Sequence, residues 1–119
     1  MPGPLVFVVD DEPAIAGTLE IILREENYTA VGFSDPLAAL AATRGIQPDL
    51  LLSDYHMPGM DGLTLAGQVL RLCPQCKVLM FSAVPMLAAR HPDRHRFEFL
   101  DKPMPMPHLL ARLQATLSV

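Results

Sequence analysis

Short runs of uninterrupted apolar residues recur along this chain, and each ends on polar side chains. Leu5-Val6-Phe7-Val8-Val9 runs into Asp10-Asp11, Leu50-Leu51-Leu52 into Ser53-Asp54, and Val78-Leu79-Met80-Phe81 into Ser82. A short apolar run without polar alternation is the pattern of a strand buried on both faces, which is the condition of strands in a parallel sheet covered by helices. Such strands need crossover connections, and the segments between these runs have helical periodicity. Ile15, Leu19, Ile22 and Leu23 stand at i, i+4, i+7 and i+8 behind Pro13, with Asn27 as the expected stop. Ser34-Asp35-Pro36 opens a second helix carrying Leu37, Leu40 and Ala41, which Gly45 is expected to end. Asp61-Gly62 opens a third, with Leu63, Ala66, Leu70 and Cys73 on one side.

Thr29 to Phe33, Lys77 to Phe81 and Phe97 to Leu100 complete the expected strands. Leu109, Leu110, Leu113 and Leu117 mark a closing helix, expected after Pro103, Pro105 and Pro107. Between Val84 and Arg96 a helix is due, but Pro85 and Pro92 interrupt it. Only Met86 to Arg90 has good helix formers, so a short or irregular helix is predicted there. The pattern is α/β: successive βα units in one layered sandwich, parallel strands inside and helices on both faces. The 119 residues make one ordinary domain, 1–119.

Half of the residues are hydrophobic, enough to form a core. Net charge is −4 and no Lys/Arg stripe stands out, so direct nucleic-acid binding by this domain has no electrostatic basis. No apolar run reaches bilayer length, so no membrane association is expected. The start, Met1-Pro2-Gly3-Pro4, has no basic n-region, and the cytoplasm is the default compartment. Cys73 and Cys76 form a C-x-x-C without a second ligand pair nearby. Two small apolar residues at a helix-to-strand turn are the simpler account than zinc or redox chemistry.

The polar residues at the strand ends carry the chemistry. Open α/β sheets bind ligands outside the carboxyl ends of their strands. If the first and third strands are neighbours, Asp10, Asp11 and Asp54 share one small volume. Like charges that close do not all stay ionised unaided. Oxygen ligands of this kind suit a hard cation such as Mg²⁺.

Asp10 and Asp11 after strand one, Asp54 after strand three, Ser82 after strand four and Lys102 before Pro103 form an ordered set. Four fragments carry it: Val8-Val9-Asp10-Asp11-Glu12, Asp49 through Gly62 with Met57-Pro58-Gly59, Phe81-Ser82-Ala83, and Leu100-Asp101-Lys102-Pro103. Together they resemble the receiver domain of two-component response regulators, over essentially the whole chain. The resemblance implies a flavodoxin-like three-layer sandwich with a five-stranded parallel sheet in the order 2-1-3-4-5. It implies that Asp54 accepts a phosphoryl group from a histidine kinase or a histidine phosphotransfer protein. Asp11 and Asp54, with the backbone carbonyl of His56, would hold Mg²⁺, and Asp10 would assist. Ser82 and Lys102 would each take a phosphoryl oxygen, and Phe99 would turn inward as Ser82 moves. The Lys102–Pro103 bond is expected to be cis. The chain is then a phosphorylated switch that catalyses only its own phosphotransfer and slow dephosphorylation. Its effector is unread, and a weak homodimer is a further association the family allows.

Each residue also has a duller account. Asp10, Asp11 and Glu12 taken alone read as helix caps, Ser82 as an N-cap, Lys102 as a solvated lysine and Phe99 as core. Their coincidence at four strand ends is what favours the site. His91 and His95 stand at i, i+4 spacing without a third ligand and read as surface residues. Met57, Met60, Met104 and Met106 lie near the active edge, with core filling as the first account and partner docking as the second. The resemblance implies that His56 and Val84 occupy the two positions that tune loss of the phosphoryl group; Val84 is apolar and cannot orient an attacking water, so slow loss is expected. Two other function classes compete: a phosphorylation-independent interaction module of the same fold, and a phosphohydrolase of the haloacid dehalogenase type. The latter places its nucleophile on the first strand as D-x-D, where this chain has Asp10-Asp11-Glu12.

Overall fold

A computed structural model of the chain describes residues 3–83, 92 and 96–118. The apolar runs are strands: β1 Leu5–Val9, β2 Thr29–Phe33, β3 Leu50–Asp54, β4 Lys77–Ser82 and β5 Glu98–Asp101. The helices among the described residues are α1 Pro13–Glu25, α2 Pro36–Ala42, α3 Gly62–Leu72 and α4 Met106–Leu117. The strands form one sheet in the order β2-β1-β3-β4-β5, every neighbouring pair parallel. This is the doubly wound order expected from the resemblance. The helix expected over 86–90, and with it Val84, His91 and His95, lies outside the described residues.

Alternation along each strand divides the core in two. Val6, Val8, Leu50, Leu52 and Leu79 face α1 and α4, where they meet Leu19, Leu23, Leu109 and Leu113. Phe7, Val9, Leu51, Val78 and Met80 face α2 and α3, where they meet Leu40, Leu63, Ala66 and Val69. Each fully buried leucine contributes about 1.5–3 kcal/mol relative to leaving it exposed. The sheet is thus clamped from both faces, and its strand ends are held in register.

The local signals work largely as expected. Asp35 accepts from the Leu37 backbone N–H at 3.0 Å and opens α2, and Asp61 accepts from that of Thr64 at 2.7 Å and opens α3. Asn27, at φ 70°, turns the chain out of α1. β4 runs one residue past its expected end, to Ser82, β5 lies one residue later than expected, and two helix boundaries differ. α2 ends at Ala42 rather than running to Gly45, and Thr43 to Gly45 form a turn. α4 starts at Met106, ahead of Pro107, because a first-turn proline lacks only an N–H that has no helical partner there.

The register positions the chemistry. Val9 pairs with Ser53, so Asp10 and Asp54 leave adjacent strands side by side. Ser82 pairs with Asp101, and the Lys102 N–H donates to the Ser82 carbonyl at 3.0 Å. The Lys102–Pro103 peptide is cis, as expected. At the opposite end of the sheet Cys73 and Cys76 are buried free thiols. The Cys73 thiol donates to the Pro48 carbonyl at 3.5 Å, and burial with the neighbouring Cys73 pushes the Cys76 thiol up to about 12. They behave as small core residues.

Candidate functional site: an acidic cluster at the strand ends

The C-terminal ends of β1 and β3 bring three carboxylates together. Asp10, Asp11 and Asp54 each offer an oxygen within 4.8 Å of the others. Asp10 is buried at 3% exposure and Asp54 at 9%, while Asp11 is exposed. Asp10 is held from two sides. Its Oδ1 accepts from the Glu12 backbone N–H at 3.0 Å, and its Oδ2 accepts from Lys102 Nζ at 2.9 Å. Glu12 is the N-cap of α1 and makes no side-chain capping bond. The acids at this turn therefore face the cluster instead of serving mainly as caps.

Lys102 reaches back from the end of β5 into the cluster. Its ammonium also lies 3.3 Å from Asp54 Oδ1 and 5.8 Å from the centre of the Phe81 ring. Burial pulls the ammonium down, but the hydrogen bond it donates to Asp10 and the charges of Asp54 and Asp10 outweigh it and hold Lys102 above its ordinary value. It stays charged. Burial raises the Asp54 carboxyl above 3.8, Lys102 opposes this, and Asp10 and Asp11 add to it. One ammonium thus faces three carboxylates, and the balance is a net negative pocket. An oxygen-only donor set with uncompensated charge fits a hard divalent cation.

A cleft of about 300 Å³ opens over these groups, lined by Asp11, Glu12, Ile15, Asp54, His56, Ser82, Ala83 and Lys102. Ser82 is buried at its wall and His56 is exposed at its rim. Every residue expected at the site except Phe99 and Asp10 lines this cleft, and Asp10 supports it from below through Lys102 and Glu12. Phe99 lies to one side, half-buried, its ring 6.2 Å from that of Tyr55. The spacing of Ile15 matches the apolar face of α1 and predicts a core position. It is half-buried at the cleft wall, because the first turn of α1 overhangs the strand ends. Of the four methionines near this edge, Met57 is core, buried with α2 and α3. Met104 and Met106 instead line a separate apolar groove of about 400 Å³ between α1 and α4.

The pattern of the response regulator receiver domain matches residues 6–114. The chain belongs to that family. It is similar to the DNA-binding transcriptional regulator NtrC of Salmonella typhimurium, with 34% identity over 99% of this chain and 26% of that protein. It is also similar to the DNA-binding response regulator MtrA of Mycolicibacterium smegmatis, with 33% identity over 94% of this chain and 50% of that protein. The chain therefore spans between a quarter and a half of the length of these relatives. Among solved structures it resembles the response regulator TrrA of Thermotoga maritima in complex with Mg²⁺-BeF, with a TM-score of 0.83 and 26% identity over 95% of this chain and 98% of that one. A signal receiver domain from Pseudomonas fluorescens superposes at a TM-score of 0.87 with 27% identity, covering 98% of this chain and 95% of that one. The chain is a receiver domain of two-component signalling, and its acidic cluster fits a phosphoacceptor site.

Proposed function

We propose that Asp54 is the phosphoacceptor and that the cluster around it is the phosphotransfer site. The observation that carries this reading is the position of Lys102, whose ammonium bridges Asp10 at 2.9 Å and Asp54 at 3.3 Å inside the acid cluster. Asp54 is the member that leaves a sheet strand directly into the cleft, and it meets the lysine that would neutralise an incoming phosphoryl group. Asp11, Asp54 and the backbone carbonyl of His56 would hold Mg²⁺, with Asp10 as support. When bound, that ion supplies charge neutralisation between the carboxylate and the phosphoryl oxygens.

The protein's own groups account for the rest. An Asp54 oxygen forms the new bond to phosphorus, and the phosphorus–nitrogen bond of the donor phosphohistidine breaks. The electron pair leaves with the imidazole. Phosphoryl transfer needs positioning and charge compensation more than acid–base help. Lys102 is already in place and exchanges a carboxylate for a phosphoryl oxygen. The Ser82 hydroxyl, at the wall of the cleft, donates to another. Phe99 is half-buried beside Tyr55, and we assign it the switching role: an aromatic with two packings is an element that a new double charge can bias. The partner is a histidine kinase or a histidine phosphotransfer protein. DNA binding in the names of NtrC and MtrA belongs to those proteins. With a net charge of −4, this domain is proposed to signal through protein contact.

The domain turns over no other phosphate ester on this reading, and its own phosphoryl group is lost slowly, because the position that the resemblance assigns to orienting a water is an apolar valine in the sequence, Val84. A half-life of seconds for the phosphorylated form would contradict that second point. The main test is intact mass after acetyl phosphate and Mg²⁺. Wild type is expected to gain one phosphoryl group and Asp54→Asn none; equal labelling of both would remove Asp54 from its role.

A further inference from the structure

Two residues on the far side of β3 converge on the main chain of Asp54. Ser53 is wholly buried, and its hydroxyl donates to the Asp54 carbonyl at 2.9 Å. Alternation sends the Ser53 side chain toward α2 and α3 while the Asp54 side chain enters the cleft. Ser53 therefore acts on the Asp54 peptide from behind, through the carbonyl and not the carboxylate. On the same side stands Gly62, the first residue of α3. A Cβ built at Gly62 would collide with the Asp54 carbonyl oxygen and would lie 2.5 Å from the Met80 sulfur. Only a glycine lets α3 start this close to the strand end.

The loop between them is closed. The Tyr55 N–H donates to the Phe81 carbonyl at 2.7 Å, and the Gly62 N–H donates to the Tyr55 carbonyl at 2.8 Å. His56 hangs on this closed loop. The β3–β4 register ends at Asp54 opposite Phe81, so the Asp54–Tyr55 peptide is the last that the sheet holds: β4 takes its N–H, and its carbonyl is left to Ser53 and Gly62. The orientation of that peptide sets the direction in which the chain leaves the strand, and hence where the His56 backbone goes.

We propose that Ser53 and Gly62 are positioning residues for the acid cluster: the Ser53 hydroxyl and the bare Gly62 Cα together clamp the Asp54 peptide, and so place the Asp54 carboxylate relative to the His56 carbonyl. The inference rests on the reading of Asp54 and His56 as neighbours of a divalent ion. Groups outside a metal's direct ligands orient those ligands, and losing one typically weakens binding about 10–100-fold.

The test is the Mg²⁺ dissociation constant of the whole chain, followed by tyrosine emission. The chain has two tyrosines and no tryptophan, and Tyr55 adjoins Asp54. Ser53→Ala is expected to weaken Mg²⁺ at least about tenfold, and Ser53→Thr, which keeps a hydroxyl, to restore most of it. The labelling rate with acetyl phosphate should fall in parallel. Gly62→Ala is expected to have the larger effect and risks the fold, so Ser53→Ala decides. A merely structural serine would lower the thermal midpoint in EDTA and leave the Mg²⁺ constant where it was. Wild-type binding with an unchanged constant in Ser53→Ala overturns the inference alone. No Mg²⁺ response and no labelling in wild type overturns the reading beneath it as well.

Discussion

Mg²⁺ should stabilise this domain through the acid cluster, and Asp54→Asn should both weaken that effect and stabilise the metal-free protein. Three carboxylates face one ammonium within a few ångströms, so the metal-free fold carries uncompensated negative charge. Asp54 is held above 3.8, by burial first, and its ionised form is the unfavourable one. A raised folded-state value means that its stabilising contribution is complete below about 3.8 and is lost as pH rises through the folded value. The asparagine variant does not lose it. Asp54→Asn in EDTA should therefore match wild type near the acid end and melt higher at neutral pH.

With Mg²⁺ the order changes. A ligand at 10 times its dissociation constant adds about 1.4 kcal/mol, and at 100 times about 2.7 kcal/mol. Unfolding entropy of about 2.1 cal/mol/K per residue gives roughly 250 cal/mol/K for a chain of 119 residues. Each kcal/mol then moves the midpoint by about 4 °C, and saturation near 100 times the constant raises wild type by about 11 °C. At the same Mg²⁺ concentration the asparagine variant, one carboxylate short, should rise by only a small part of that. Circular-dichroism melts at matched ionic strength, with NaCl replacing MgCl₂ in the control, make the measurement. Equal Mg²⁺ shifts in the two proteins, or no shift in wild type, would refute the placement of a divalent site at this cluster.

Three further outcomes follow from the same structure. Lys102→Met leaves Asp10 and Asp54 facing each other without the ammonium; partial exposure of Lys102 tempers the cost to roughly 1–2 kcal/mol in EDTA. Urea titration would show it, and a variant as stable as wild type would mean that the bridge does not contribute. Because the Cys76 thiol is pushed up to about 12, it should react with a disulfide reagent far more slowly at pH 8 in the native protein than in urea, and equal rates would contradict its burial. On the free side of β2, Arg24 Nε donates to the Ala30 carbonyl at 3.0 Å and the Gly32 N–H donates to Glu20 at 3.2 Å, so α1 occupies groups that another strand would use. Glu20→Ala with Arg24→Ala should lose under about 1 kcal/mol of stability yet self-associate in sedimentation velocity at concentrations where wild type does not; unchanged sedimentation would show that the edge needs no such cover.

The strands were legible because a strand buried on both faces has no polar positions to blur it, and Leu5–Val9 and the run from Leu50 were recovered nearly to the residue. Ends were less so. Gly45 signals a helix stop, but α2 has already given way to a turn at Thr43. Pro107 reads as a barrier when counted by composition and as harmless once it falls in the first turn of α4. The acids at the site were visible as residues, while their meeting depended on β1 and β3 being neighbours, a pairing that no local signal in either strand encodes. The resemblance supplied it, and the Val9–Ser53 register bears it out. The Ser53 bond to the Asp54 carbonyl and the closeness of Gly62 had no signal of their own, since both arise where α3 lands on the sheet. The lift on the Cys76 thiol is likewise a product of packing.

The most direct test is to locate the phosphoryl group. Borohydride reduces an aspartyl phosphate to homoserine, which survives digestion and is placed by peptide sequencing. After acetyl phosphate and Mg²⁺, homoserine is expected at position 54 and nowhere else. Homoserine at Asp10 or Asp11 in place of Asp54, or none in protein that binds Mg²⁺, would contradict the account.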